Sequence, residues 1–148
     1  MEQHEVYSPS ITIRVIYQDL PDLIELETCV RSRHWRGRAT AYASPTSLCD
    51  DAAALAAWAR QPVGELKIEA GADTGIGWLV LRFCTVDMAG HVICQVTLAT
   101  TRATSLNEVS RLTFTMPTEP GLIERFARHL ATLSTTFEGE AVLEGLAS

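Results

Sequence analysis

Apolar and polar residues alternate with a period of two over most of the chain, and two segments break that rhythm with a period near 3.6. Ile11, Ile13, Val15 and Tyr17 alternate with Thr12, Arg14 and Ile16, the pattern of a strand. Asp19-Leu20-Pro21-Asp22 reads as a turn. A second strand over 23–30 sets Ile24, Leu26, Thr28 and Val30 on one face and Glu25, Glu27 and Arg31 on the other. Arg31-Ser32-Arg33-His34 predicts a turn into a third strand over 35–43. Ser44-Pro45-Thr46-Ser47 then opens a helix, with Thr46 or Ser47 expected as N-cap and Asp50 and Asp51 in its first turn. Leu48, Leu55 and Ala59 line one stripe of it, Trp58 lies at the edge, and Gln61-Pro62 ends it.

A short strand over 66–69 and a glycine-rich link over 71–77 lead to the most strongly patterned stretch, Gly77 to Leu98. Its two alternating arms flank Asp87-Met88-Ala89-Gly90, a hairpin signal. A three-residue loop would place Arg82 among Val80, Val92, Val96 and Leu98. A four-residue loop sets Val86 opposite His91 and gathers Leu79, Leu81, Phe83, Val92, Cys94, Val96 and Leu98 on one face. The second register is expected, because burying Arg82 without a partner is costly. Thr101 to Asn107 reads as a polar loop and 109–116 as a strand carrying Leu112, Phe114 and Met116 on one face. Thr118 is the expected N-cap of a last helix with Pro120 in its first turn and Leu122, Ile123, Phe126, Leu130 and Leu133 as its stripe. The order βββ-α-βββ(β)-α predicts an α+β fold: a mainly antiparallel sheet of six to seven strands, strongly curved or sandwich-like, with two helices. One domain over 1–148 is expected, with 1–9 and 137–148 frayed or peripheral, the latter adding an edge strand or trailing free.

Composition changes this picture little. A net charge of −6 argues against general nucleic-acid or anionic-membrane binding; it fits a basic protein partner, and ordinary solubility accounts for it as well and is the expectation. No apolar run has the length of a membrane span, and MEQHEVYSPS lacks the features of a secretory leader, so a cytoplasmic location is expected. Cys29, Cys49, Cys84 and Cys94 show no CxxC spacing, and His4, His34, His91 and His129 are scattered, so no metal site, cofactor or His-based catalysis is expected. Asp73-Thr74-Gly75 resembles the D-T-G of retropepsin-type aspartic proteases, but Ala70-Gly71-Ala72 precedes it and Ile76 follows, so a glycine turn is the expectation. RSRHWRGR, residues 31–38, interleaves arginines with Trp35; it either grips phosphate or stacks a base, or is a solvated hairpin whose arginine stems pack over Trp35, and the last is expected. Asp19, Asp22, Glu25, Glu27, Asp50 and Asp51 form an acidic counter-series, in which Glu25 and Glu27 share the outward face of one strand as a local patch that either steers a cationic partner or is ordinary surface.

The chain is similar to the WapI-type immunity proteins of bacteria. The resemblance rests on the helix SLCDDAAALAAWARQ, on WLVLRFCTVDMAGHVICQVTL with its D-x-x-G-H turn, and on a strand ending in Phe114 before a helix of Leu122, Phe126 and Leu130. It covers roughly residues 11–134 and departs at Thr118-Glu119-Pro120, where a polar-aromatic motif is expected, and in the extra tail after Leu133. It implies a non-enzymatic inhibitor, without catalytic residues, that binds a cognate contact-dependent or polymorphic toxin domain such as a nuclease. Such a protein would be a monomer or weak homodimer. The expected partner-binding residues are Asp22, Glu25, Glu27, Trp78 and Ile93. Trp78, Val80, Cys84, Val86 and Ile93 make the outer face of the hairpin apolar, so the first strands are expected to fold over it, making a sandwich or half-barrel, with cover by a partner as the alternative. The alternatives are a small acidic secretion chaperone and an enzyme in which Asp73 is the only nameable catalytic residue.

Overall fold

The computed structural model describes residues 7–72, 76–101 and 109–147. Eight antiparallel strands and two helices follow the order β1 (Ser10–Asp19), β2 (Leu23–Arg31), β3 (Arg36–Ala43), α1 (Pro45–Arg60), β4 (Glu65–Gly71), β5 (Gly77–Thr85), β6 (Val92–Thr101), β7 (Val109–Thr118), α2 (Pro120–Thr136) and β8 (Ala141–Glu144). The fold is α+β, and the strands divide into two four-stranded sheets. Sheet A has the order β3-β2-β1-β8 and sheet B the order β4-β5-β6-β7. The inward faces of both sheets and the apolar stripes of both helices meet in one core, which includes Ile11, Ile24, Leu55, Leu81, Phe83, Phe126 and Leu130. The helices pack against each other, and Arg60 on α1 reaches Glu124 on α2 at 3.4 Å. No helix among the described residues is long and apolar enough to cross a membrane.

The central hairpin adopts the four-residue loop. The Val86 N–H donates to the His91 carbonyl at 3.0 Å, and Arg82 pairs with Gln95 on the outward face. Leu81 and Phe83 face inward with Val96 and Cys94 across the ladder. Asp87 explains the turn. Its Oδ1 accepts from the backbone N–H of Ala89 at 2.9 Å and of His91 at 3.2 Å, and its Oδ2 lies 2.6 Å from His91 Nδ1. Gly90 supplies the positive φ, 87°, that closes the loop. The hydrogen bond from His91, with the two backbone donors, holds the Asp87 carboxyl below its usual value.

Both helix caps differ from expectation. Ser44, not Thr46 or Ser47, caps α1: its Oγ accepts from the Ser47 N–H at 3.0 Å, with Pro45 in the first turn. Asp50 and Asp51 consequently fall beyond the first turn. The N-cap position of α2 is Glu119, without a side-chain cap, because the Thr118 hydroxyl donates instead to the Glu144 carbonyl at 3.0 Å. That bond fastens β8 to the end of β7, as does the Leu146 N–H on the Pro117 carbonyl at 2.8 Å. Residues 137–148, expected at the periphery, thus supply an edge strand whose Ala141 and Leu143 are fully buried. The sheets meet at a corner where β3 abuts sheet B. Gly77 lies so close to the Thr40 carbonyl that a side chain there would overlap it, and Gly37 lies under Leu112. The loop at 101–107 and the D-T-G at 73–75 fall largely or wholly outside the described residues.

Candidate partner-binding surface

The outward face of sheet A is ordered by charge from one end to the other. At its middle stands Glu27, 8% exposed and paired across the ladder with Arg14 and Thr40. The Arg14 Nε donates to Glu27 Oε1 at 2.7 Å, and Arg38 Nη1 lies 3.8 Å from Glu27 Oε2. Cys29 Sγ is 3.9 Å from the same Oε1. Burial, together with the Glu27 charge, pushes the Cys29 thiol up, which favours its protonated form. Thr12, Arg14, Glu27, Cys29, Arg38 and Glu140 line a shallow depression of about 410 Å³ here. Glu27 is therefore a structural counter-ion of two arginines, and its charge is not presented as part of an acidic patch.

Towards the β1–β2 turn the character changes. Tyr17 stands opposite Glu25, and Glu25 opposite Tyr42, so the three form one row across three strands. A β-bulge between Val15 and Tyr17 inserts Ile16 and returns Tyr17 to the outward face. Tyr17 is 54% and Tyr42 40% exposed. The Tyr42 phenol is pushed up, first by its hydrogen bond to Glu25 and then by that carboxylate's charge. Ile16 and Leu20 are also exposed, and Asp19 and Asp22 flank them at the turn. Asp22 and Glu25 are thus brought together with aromatic and aliphatic surface, and Glu27 is withdrawn from them. The tyrosines were not legible as site residues in the sequence, because their shared row depends on the bulge and on both cross-strand registers.

The outward face of sheet B holds Trp78 and Ile93, both half-buried. The first strands do not fold over this face as a lid; they build sheet A, and sheet B closes its outer face with its own side chains. Trp78 Nε1 donates to Glu69 Oε2 at 2.7 Å, and the Arg111 guanidinium lies 5.4 Å from the centre of the Trp78 ring. Arg82 pairs with Glu65 at 3.0 Å and Lys67 with Glu69 at 3.8 Å. Val80 and Ala99 are buried among these side chains. Ile93 stands opposite Cys84. Trp78 and Ile93 therefore lie on a different face from Asp22 and Glu25, and Trp78 is engaged within the fold.

The remaining candidates for chemistry do not converge. His34 lies in the β2–β3 turn, His91 in its contact with Asp87, and His129 on the exposed side of α2. Among the described residues, no three His, Cys, Asp or Glu side chains are grouped to hold a metal ion. All four cysteines are free thiols, and burial pushes the Cys94 thiol far up. Trp35 is 68% exposed in the β2–β3 turn, where the Ser32 N–H donates to the Trp35 carbonyl at 2.8 Å and the Trp35 N–H to Ser32 Oγ at 3.2 Å, so the arginine stems leave most of it uncovered. No protein-family model, curated protein or solved structure matches this chain.

Proposed function

We propose that the protein is a non-catalytic binding protein that docks a basic protein domain on the Tyr17–Glu25–Tyr42 row and the adjoining β1–β2 turn, in the manner of a WapI-type immunity protein neutralising a toxin. The observation that carries this reading is the row itself. Two exposed tyrosines flank a carboxylate on a rigid sheet, with Ile16 and Leu20 beside them and Asp19 and Asp22 at the rim. Tyrosines on a rigid frame make strong interface anchors, because each brings a large contact area with few rotatable bonds. The surrounding carboxylates would steer a cationic partner and discriminate against acidic ones. The chain's net charge of −6 acts in the same sense.

The test is co-purification with the variable C-terminal domain of a large secreted protein encoded beside this chain. Tyr17→Ala, Tyr42→Ala and Glu25→Lys are each expected to weaken the complex by about tenfold or more, the range of an interface hot spot. Trp78→Ala should leave the affinity of the folded fraction unchanged. Absence of any complex at micromolar concentration, or equal affinity for wild type and all three variants, would overturn the assignment.

A further inference from the structure

β8 is an outer strand of sheet A, and among the described residues β1 is its one neighbour in the sheet. The register sets Ile11 opposite Leu143, Thr12 opposite Val142 and Ile13 opposite Ala141. Continued past Ser10 and Glu144 it sets Pro9 opposite Gly145, and there the Gly145 N–H donates to the Pro9 carbonyl at 2.8 Å. In an antiparallel ladder, opposed pairs that exchange backbone bonds alternate with pairs that do not. Leu143 and Ala141 therefore turn their N–H and C=O groups to β1, and Val142 and Glu144 turn theirs away from it. Two bonds at the end of β7 agree. The Glu144 carbonyl accepts from the Thr118 hydroxyl at 3.0 Å, and the Leu146 N–H donates to the Pro117 carbonyl at 2.8 Å. Beyond that point the edge is open: among the described residues, no backbone bond from another element reaches the N–H or C=O of Val142 or the N–H of Glu144.

A groove of about 270 Å³ runs along this edge. Glu140, Val142 and Glu144 line one wall, and Leu122, Arg125 and His129 of α2 line the other. The helix residues are three and four apart, so they share one stripe of α2. Val142 and Leu122 are half-buried and give the groove apolar surface, while the four polar side chains are exposed. The walls carry opposite charges. Among the described residues, none of Glu140, Glu144 and Arg125 has an oppositely charged side chain at ion-pair distance, so these charges are not spent on each other across the groove.

We propose that this edge binds an extended peptide segment of a partner protein as an added antiparallel strand, with basic, acidic, apolar, acidic and basic residues in that order. An exposed strand edge is a template for such pairing, in which backbone bonds supply affinity and alternate side chains supply selection. The central residue stands opposite Val142 and exchanges both backbone bonds with it. Its neighbours two positions away stand opposite Glu140 and Glu144, where a Lys or Arg makes an attractive cross-strand pair. The residues between them point to the other side of the strand, towards Arg125 and His129, which favour carboxylates and disfavour cations. A second copy of β8 fits poorly. Paired antiparallel about Val142, it would set Glu140 opposite Glu144 twice, and like charges in opposed positions repel. The groove is independent of the tyrosine row, because β8 pairs with the opposite end of β1 from the β1–β2 turn.

The test titrates the full chain with the capped peptide Thr-Lys-Glu-Val-Glu-Lys-Thr and follows backbone amide shifts by NMR. Saturable shifts centred on Val142, Glu144, Arg125 and His129 are expected. The peptide Thr-Glu-Lys-Val-Lys-Glu-Thr has the same composition and net charge with the two charge rows exchanged, and it should bind at least about fivefold more weakly. N-methylation of the central Val removes the N–H that meets β8 and should weaken binding by about tenfold, whereas N-methylation of either Glu, whose N–H points away, should not. On the protein side, Val142→Pro should abolish binding and keep the fold, because proline is tolerated in an edge strand where the missing N–H faces outward. Glu144→Lys should weaken binding, and Asp50→Lys on α1, with the same change of charge, should not. The proposal is overturned if neither peptide binds at millimolar concentration, if the two peptides bind equally, or if methylation of Val and of Glu has the same effect. It is also overturned if the free chain is a dimer by light scattering and Val142→Pro makes it a monomer, which would give the edge to a second copy.

Discussion

Gly77→Ala is expected to be among the most disruptive single-methyl additions in the protein. Gly77 opens β5 at the corner where β3 crosses the end of sheet B. A Cβ placed there overlaps the Thr40 carbonyl oxygen, sits 2.8 Å from the carbonyl carbon and 3.6 Å from the Ala41 nitrogen. All three neighbours are backbone, so no side chain can rotate away. Non-bonded carbon contacts are comfortable near 3.5–4.0 Å, so β3 has to retreat by roughly 1–2 Å. Overpacking that displaces side chains costs about 1–3 kcal/mol, and displacement of a paired strand belongs at or above the top of that range. A loss of about 3 kcal/mol would remove a large part of a typical stability of 5–15 kcal/mol and lower Tm by roughly 6–12 °C for a chain of this size. Urea unfolding followed by tryptophan fluorescence and by circular dichroism measures it, with an unchanged m-value showing that the two-state comparison holds. Gly121→Ala is the control: its Cβ meets nothing within 4 Å in the first turn of α2, so stability should stay level or rise by about 0.5 kcal/mol. If Gly77→Ala unfolds within about 0.5 kcal/mol of wild type, the close approach of β3 and β5 is wrong, and with it the corner where the two sheets meet.

Three further outcomes follow from the packing. Trp78→Ala should cost about 1–3 kcal/mol in urea unfolding, since it uncovers Val80 and strands the Glu69 and Arg111 partners; a change below about 0.5 kcal/mol would return the outer face of sheet B to the list of free docking surfaces. Ser44→Ala should cost about 1 kcal/mol through loss of the α1 cap, whereas Thr46→Ala should cost less, and equal losses would contradict the cap assignment. Asp51 has its carboxyl pushed up, first by burial and then by Asp50; a raised folded-state value means that the native state is penalised once pH rises above the unfolded value near 3.9. Asp51→Asn should therefore stabilise at pH 7 by a few tenths of a kcal/mol, a figure kept small because the group is half-exposed. The gain should shrink towards zero as pH falls below about 3.9, and the opposite pH trend would refute it.

Much of the local structure was written in the sequence. Alternation placed seven of the strands, and the 3.6-residue stripes placed both helices and their buried faces, because each rests on side chains a few residues apart. The hairpin register followed from one cost, that of burying Arg82, and the structure sets that side chain outward opposite Gln95. The D-x-x-G-H turn was visible as a turn, and its mechanism is local too, since Asp87 satisfies backbone donors two and four residues on.

Long-range pairing decided the rest. The fourth strand of sheet A is β8, which joins β1 from the far end of the chain, and a short and weakly patterned segment does not announce that pairing. The α2 cap moved for the same reason, whereas the α1 cap is a local bond between Ser44 and Ser47. Thr118 has the chemistry of an N-cap, but the Glu144 carbonyl brought beside it by β8 takes its hydroxyl. Glu27 looked like a surface carboxylate until the ladder set Arg14 opposite it and brought Arg38 within reach. The row of Tyr17, Glu25 and Tyr42 required a bulge at Ile16 and two registers at once. Periodicity reports which face of an element is buried, and it carries no information on which element lies across from it; that choice is made by the packing of the whole core, and the proposed surfaces of this protein depend on it.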